Sequence, residues 1–105
     1  MSILHEAEVL INGPRQGAYG HPIDNFGRIA AMWTVILEQK VTPEQVGLCM
    51  AALKLARQVH QPSRDNLVDA CGYLGTVELI QNEQTRRALD DIVTNPHRYK
   101  DTSNA

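Results

Sequence analysis

The chain has 105 residues, of which 43% are hydrophobic and 21% are charged, which is typical of one globular domain and excludes a wholly disordered chain. Its 10 basic and 12 acidic residues give a net charge of −2, which disfavours a protein that binds duplex DNA through the phosphates. No apolar stretch approaches the roughly 20 residues that span a bilayer, and the N-terminus lacks signal-peptide character, so we expect a cytoplasmic protein without a membrane partner.

The first half of the chain has the apolar spacing of helices. Residues 3–11 are predicted to form a helix capped by Ser2. Asn12-Gly13-Pro14 predicts its end, and residues 15–22 are predicted to form a loop because they contain two glycines and a proline. A second helix is predicted from Pro22 to residue 39 or 40. Its predicted core stripe consists of Ile23, Phe26, Ile29, Ala30, Trp33, Ile36 and Leu37.

The next helix has the strongest start signal in the sequence. Thr42-Pro43-Glu44-Gln45 combines a threonine N-cap, proline at the first position and a glutamine that completes a capping box. From residue 46 to 56 every residue except Lys54 is apolar or glycine. Such a helix is buried on more than one side. A chain this short has too few helices to cover it, so we expect an oligomer, either a homodimer or a homotetramer.

A fourth helix is predicted after Ser63, with a core stripe that includes Leu67, Ala70 and Leu74. Residues 84–93 are predicted to form a short fifth helix or the end of the fourth. The fold is thus predicted to be all-α, a bundle of four to five helices over residues 1–93, with a polar tail over residues 94–105. Cys49 and Cys71 match no zinc-binding spacing and are predicted to be small core residues.

Two acidic residues suggest a metal site. Asp65 and Asp69 are four residues apart, so a helix places them on one face, where their like charges repel. A divalent cation would relieve that repulsion, and hard oxygen ligands suit Mg²⁺ or Mn²⁺. The alternative for Asp65 is simple stabilisation of the helix N-terminus.

Two basic residues form a second candidate group. Lys54 and Arg57 are three residues apart and share a helix face. Lys54 lies within an apolar run, and a buried ammonium needs a partner. It is predicted either to pair with Asp69 or Asp65, or to bind phosphate beside Arg57.

The predicted loop supplies a third group. Arg15, Tyr19, His21 and Asn25 bring a cation, an aromatic ring, an imidazole and an amide within a few residues of each other. Adjacent glycines let the backbone approach a ligand closely. An ordinary surface loop is the alternative interpretation.

These groups belong to a longer pattern that resembles a small domain common in bacteriophages and prophages. The resemblance covers about residues 5 to 80 and is related to the MazG-like all-α nucleotide pyrophosphohydrolases, which include the phage MazZ-type enzymes. The similar residues are Arg15-x-x-x-Tyr19-Gly20-His21-Pro22-x-x-Asn25-Phe26-x-x-Ile29-Ala30-x-x-Trp33, then Thr42-Pro43-Glu44, Lys54-Leu55-Ala56-Arg57 and Asp65-x-x-x-Asp69-x-x-Gly72-Tyr73.

The resemblance implies a helical, oligomeric enzyme that binds Mg²⁺ or Mn²⁺ and cleaves a nucleoside triphosphate to the monophosphate and pyrophosphate. Family members carry a Glu-x-x-Glu pair on one helix and Glu-x-x-Asp on the next. Asp65 and Asp69 resemble the second pair, whereas Lys54 and Arg57 occupy the helix of the first. Asp24, Asn25 and Glu38 are the candidates for the missing oxygen ligands.

We therefore expect a pyrophosphohydrolase that edits the nucleotide pool during phage replication in the host cytoplasm. Asp65 and Asp69 are the expected metal ligands and Lys54 the expected catalytic cation. The expected substrate is a purine nucleoside triphosphate such as dGTP or dATP, by analogy alone. The alternatives are a helical protein-interaction module and a degenerate, inactive family member. The expected substrate-binding residues are Arg15, Tyr19, His21, Asn25, Arg57 and Tyr73.

Overall fold

A computed structural model describes residues 1–99, which form a small all-α bundle, as the helical periodicity predicted. The two longest helices run antiparallel and pack together, and the first helix packs against the longest one. Within this range no helix is long and apolar enough to cross a membrane. The helices are α1 (Ile3–Asn12), α2 (Pro14–Tyr19), α3 (Pro22–Leu37), α4 (Pro43–His60) and α5 (Arg64–Thr94), followed by a 3-10 turn (Pro96–Tyr99).

The predicted helix starts are confirmed by side-chain caps. The Ser2 hydroxyl accepts a hydrogen bond of 3.1 Å from the backbone N–H of His5. Thr42 and Gln45 form the predicted capping box, with reciprocal hydrogen bonds of 3.2 and 2.9 Å. These bonds satisfy backbone donors that would otherwise lack a partner in the first turn.

The predicted loop over residues 15–22 is wrong in its first part, because Pro14–Tyr19 form α2. Pro14 suits the first helical position, since its missing N–H is not needed there. A hydrogen bond of 3.1 Å from the Gln16 side chain to the carbonyl of Ile11 ties this short helix to α1. The helix ends at Gly20, whose φ of 77° is readily adopted only by glycine.

In the second half of the chain, the helix start after Ser63 is confirmed, and so is one of the two alternatives for residues 84–93. Residues 84–93 belong to α5, which continues without a break to Thr94 because no glycine or proline interrupts it after Gly75. The predicted polar tail begins with the 3-10 turn, in which Tyr99 donates a hydrogen bond to the Asp91 carboxylate of α5. Residues 100–105 of that tail lie outside the described range.

The core lies between α3, α4 and α5. Val46 and Ile80 are fully buried, Phe26 and Ala30 pack with them, and Trp33 lies partly buried against this cluster. Close approach of α4 and α5 depends on Gly47, because a Cβ there would come within 2.7 Å of Val77 Cγ2.

One face of α4 remains uncovered. We call Leu48, Ala52, Leu55 and Val59 the outer apolar face; they recur at i, i+4, i+7 and i+11 and are exposed. Cys49 is also exposed, contrary to its prediction as a core residue, because it lies on the side of α4 turned away from α5. Cys71 is partly buried.

The end of α3 is exposed in the same way. Ile36 and Leu37 were predicted to lie in the core, but they are 72% and 62% exposed. α3 ends at Leu37, with Glu38 in the left-handed conformation, and this end projects beyond the part of α3 that packs on the core.

The molecule as a whole is extended for its length. The Cα radius of gyration is 17.3 Å, against about 13 Å for a compact domain of this size.

The close contact at Gly47 generates a stability prediction. Gly47→Ala should lower the free energy of unfolding by about 1–3 kcal/mol, because Val77 is β-branched and stiff and cannot move aside easily. Gly27→Ala is the matched control, since a Cβ at Gly27 meets no atom within 4 Å. That variant should gain up to about 1 kcal/mol from helix propensity. Urea denaturation measures both, and equal effects would contradict the close packing of α4 on α5.

Candidate functional site

A cleft opens between α1, α2, α3 and α5. Its floor is apolar and includes Ile11, Phe26 and Val68. Apolar walls with a few polar groups are typical of small-molecule sites. Five of the residues predicted from the sequence line this cleft, namely Arg15, Tyr19, Asn25, Asp69 and Tyr73.

Asp69 joins the cleft to α4 through an ion pair. Its Oδ2 lies 2.9 Å from Lys54 Nζ, and the two side chains are 24% and 16% exposed. α4 and α5 run antiparallel after a short turn, so positions 54 and 69 face each other. This confirms the prediction that Lys54 pairs with an aspartate. The pair compensates an ammonium that would be costly to bury alone.

Arg15 reaches Asp69 from the opposite side. Its Nη2 lies 4.0 Å from Asp69 Oδ1, and its Cζ lies 5.8 Å from the centre of the Tyr73 ring. The Tyr73 ring packs beside Phe26 with a centroid distance of 6.3 Å. Two cations thus contact one carboxylate, and these three groups together carry a formal charge of +1. Such a site favours an anionic ligand such as phosphate.

His21 lies outside the residues that line the cleft and has a structural role. Its Nδ1 accepts a hydrogen bond of 3.1 Å from the backbone N–H of Ile23, so the imidazole caps the N-terminus of α3. Its Nε2 lies 3.7 Å from Glu83 Oε2 on α5. The histidine therefore positions the turn that carries Asn25.

Asp65 and Arg57 also lie outside the cleft. Asp65 is exposed in the first turn of α5, one turn before Asp69. Arg57 lines a separate open depression beside the turn that joins α4 to α5. Lys54 is likewise not a lining residue and meets the cleft only through its ion pair with Asp69, so of the predicted cations Lys54, Arg57 and Arg15 only Arg15 lines the cleft.

The start of α3 is held to α5 by an ion-pair network that sequence reasoning missed. Arg87 donates two hydrogen bonds of 3.0 Å to the Asp24 carboxylate. This interaction holds the pKa of Asp24 below its usual value, and a hydrogen bond from Arg86 does the same for the pKa of Glu83. Asp24 and Arg87 are 63 residues apart, so no local pattern indicates their contact.

The cleft supplies few ligands for a metal ion. Across residues 1–99 no group of three or more His, Cys, Asp or Glu side chains is arranged to hold one. Asp69 is the one carboxylate among the described lining residues, and both its oxygens already face cations. Mg²⁺ often takes only one or two protein carboxylates and completes its shell with substrate phosphates and water. Asp69 fits that role, with Asp65 as the next carboxylate along α5.

Comparison with known proteins places the chain in a family. Residues 2–81, which include every residue that lines the cleft, match the model of the family described as Domain of unknown function (DUF6378), and the chain belongs to this family. Its relatives include phage proteins, in agreement with the phage-type pattern of the sequence. No solved structure matches the chain.

Two curated relatives carry the name Gene 55 protein. The protein of Mycobacterium phage D29 is 41% identical over 83 residues, which cover 78% of this chain and 55% of the relative. The protein of Mycobacterium phage L5 is 39% identical over 89 residues, which cover 83% of this chain and 57% of the relative. The chain thus spans about half the length of these relatives.

The network at the start of α3 predicts a pH dependence of stability. Because the pKa of Asp24 in the folded protein lies below its ordinary 3.8, the charged form stabilises the fold above that pH. The stabilisation is lost as the pH falls through the lowered pKa. The melting temperature of Asp24→Asn should therefore lie below that of the wild type at neutral pH, and the difference should shrink below about pH 3.8.

Thermal unfolding followed by circular dichroism from neutral to acidic pH measures this difference. Asp90→Asn is the control, since Asp90 is an exposed aspartate on α5 outside this network. A melting-temperature difference for Asp24→Asn that stays constant across the pH range would contradict the assignment.

Proposed function

We propose that this domain is a nucleotide pyrophosphohydrolase, related to the MazG-like and MazZ-type enzymes that its sequence resembles. It would convert a purine nucleoside triphosphate such as dGTP or dATP to the monophosphate and pyrophosphate in the host cytoplasm. The observation that carries the proposal is Asp69 in the wall of the cleft, paired with Lys54 of α4 and close to Arg15, which also lines the cleft. An excess of positive charge beside one carboxylate suits a polyphosphate chain.

The polyphosphate would lie between Lys54 and Arg15. The Lys54 ammonium is held by Asp69, so it is already oriented when the ligand arrives. The Arg15 guanidinium can donate two parallel hydrogen bonds to phosphate oxygens. These two cations come from different helices, which lets them contact different phosphates of one chain.

The aromatic part of the cleft would receive the base. Tyr73 and Tyr19 offer rings for stacking, and the Asn25 amide offers both a donor and an acceptor to a base edge or a sugar hydroxyl. Stacking on an aromatic ring contributes about 1–3 kcal/mol per base. The arrangement therefore suits a ligand with an anionic end and a flat apolar end.

A divalent cation is part of the proposal. Asp69 and Asp65 would hold Mg²⁺ or Mn²⁺ together with phosphate oxygens. When bound, such an ion neutralises phosphate charge and activates water.

Activity of matched variants tests the proposal. Asp69→Asn should abolish turnover and leave the helical circular dichroism spectrum intact, because it removes a charged ligand but keeps the shape. Lys54→Ala should lower turnover about 100-fold or more, the scale for one preorganised charge that stabilises a transition state. Asp90→Asn should retain full activity, since Asp90 lies on the same helix but outside the cleft.

The identity of the first products distinguishes the proposed pyrophosphohydrolysis from removal of the terminal phosphate. Chromatography with a pyrophosphate-specific assay should find a nucleoside monophosphate and pyrophosphate as the first products. Orthophosphate and a nucleoside diphosphate would refute the mechanism, and full activity of Asp69→Asn or activity in excess chelator would refute the metal assignment.

A helical protein-interaction module is the second candidate, and the outer apolar face of α4 favours it. In that case the Lys54–Asp69 pair would be only a structural link between α4 and α5. Hydrolysis in the presence of metal separates the two candidates. An enzyme requires the cleft and the metal, whereas an interaction module requires only the outer face.

The same face supports the proposal of a homodimer or homotetramer. The spacing of Leu48, Ala52, Leu55 and Val59 forms one seam along α4, which a second copy would cover. Light scattering at micromolar concentration should give at least the mass of a dimer. Leu55→Glu should shift the protein toward the monomer, because it places a charge in the seam.

Leu4→Glu is the control for assembly, because Leu4 is an exposed leucine on α1, away from α4. A monomeric wild type, or equal dissociation of both variants, would contradict an interface at the outer apolar face.

A further inference from the structure

Arg15 occupies the aromatic surface that a base would need. Its guanidinium lies 5.8 Å from the centre of the Tyr73 ring, within the range of a cation–π contact. The ring also packs beside Phe26 of the core. A base that stacks on the side of Tyr73 that Arg15 covers must therefore displace the guanidinium.

The hold on Arg15 is weak. Its distance of 4.0 Å to Asp69 is too long for a hydrogen bond, and the Arg15 side chain is 46% exposed. Asp69 makes its shorter contact, 2.9 Å, with Lys54. The guanidinium can thus leave the ring without breaking a hydrogen-bonded salt bridge.

The helix that carries Arg15 has few anchors besides the hydrogen bond from Gln16 to Ile11. α2 has six residues and no buried residue, and its N-terminus lacks a side-chain cap. It lies between Gly13 and Gly20, and Gly20 adopts a positive φ of 77°. A shift of Arg15 toward a ligand would leave the core of Val46 and Ile80 untouched.

We propose that Arg15 is a specificity-determining residue. When a ligand binds, the Arg15 guanidinium leaves the Tyr73 ring and contacts a phosphate group of the ligand instead. The inference rests on the proposed function and adds the residue that selects for ligands in which a base and a phosphate occur together. A nucleoside has to displace the guanidinium from the ring, but it carries no anionic group that the guanidinium could contact instead, so it binds weakly. Inorganic pyrophosphate attracts the guanidinium but leaves the ring uncovered. A nucleotide supplies a base for the Tyr73 ring and a phosphate for the Arg15 guanidinium at the same time.

Calorimetric titration of the wild type and Arg15→Ala tests the exchange. The probes are deoxyadenosine, pyrophosphate and the non-hydrolysable α,β-imido analogue of dATP, with the guanine counterparts in parallel and Mg²⁺ throughout. Arg15→Ala should weaken binding of the analogue about tenfold or more, because a charge-assisted contact is lost. It should strengthen binding of the nucleoside about two- to fivefold, because the ring is uncovered.

Opposite effects on the two ligands separate this role from a structural one, since a damaged fold would weaken both. Arg28→Ala is the matched control, because Arg28 is exposed on α3 and does not line the cleft. It should leave both affinities unchanged. Arg15→Lys should bind the analogue more tightly than Arg15→Ala, because it keeps the charge.

Weaker or unchanged nucleoside binding by Arg15→Ala, with normal binding of the analogue by the wild type, would overturn the exchange and leave the proposed function standing. A loss of analogue binding in Arg28→Ala as large as in Arg15→Ala would assign the effect to net charge and also overturn it. Failure of the wild type to bind the analogue would overturn the proposed function and this inference together.

Discussion

The ion pair between Lys54 and Asp69 is the interaction on which the cleft depends. Lys54 interrupts the apolar run of α4 and its side chain is only 16% exposed, and an ammonium in such a place needs a carboxylate. Asp69 provides it at 2.9 Å and so fixes the register of α4 against α5 at the cleft. The close approach of the helices at Gly47 supports the same register further along. Removal of either charge would leave its partner poorly compensated.

The pair also sets the electrostatics of the cleft. Asp69 alone would repel phosphate, but Lys54 and Arg15 on its two sides reverse the local sign. The rings that could stack on a base, Tyr19 and Tyr73, lie in the same cleft next to these charged groups. A ligand with an anionic end and a flat end therefore matches the cleft better than a simple anion or a simple hydrophobic molecule does.

α4 has two faces with different roles. The inner face packs on α5 through Val46 and Ala51 and carries Lys54, whereas the outer apolar face is open. This division explains why the sequence of α4 is apolar almost throughout. The proposed enzyme uses the inner side of α4, and the alternative interaction module would use the outer apolar face. Because the two sides are separate, an active cleft is compatible with assembly through the outer face.

Local signals predicted much of the fold from the sequence. The caps at Ser2 and Thr42 involve residues three positions apart, so the sequence alone identifies them. The Lys54–Asp69 contact was predictable because a charge in an apolar run requires a partner. Helix α2 was missed, since its glycine lowers helix propensity and a contact with Ile11 compensates.

The parts of the site that depend on distant contacts could not be predicted. Arg15 meets Tyr73 over 58 residues, and Asp24 meets Arg87 over 63 residues. The exposure of Ile36 could not be predicted either. Helical periodicity shows which residues share a face, but it does not show how far the neighbouring helices extend along that face. His21 has the residue type of a ligand-binding group, but its Nδ1 is used to cap α3.

A crystal structure of the protein with the α,β-imido analogue of dATP and Mn²⁺ tests the central claim most directly. The account predicts that phosphate oxygens contact Lys54 and Arg15, that the base lies against Tyr73, and that the anomalous signal of Mn²⁺ lies beside Asp69. An analogue bound away from this cleft, or a Lys54–Asp69 pair unchanged beside an empty cleft at saturating analogue, would contradict it.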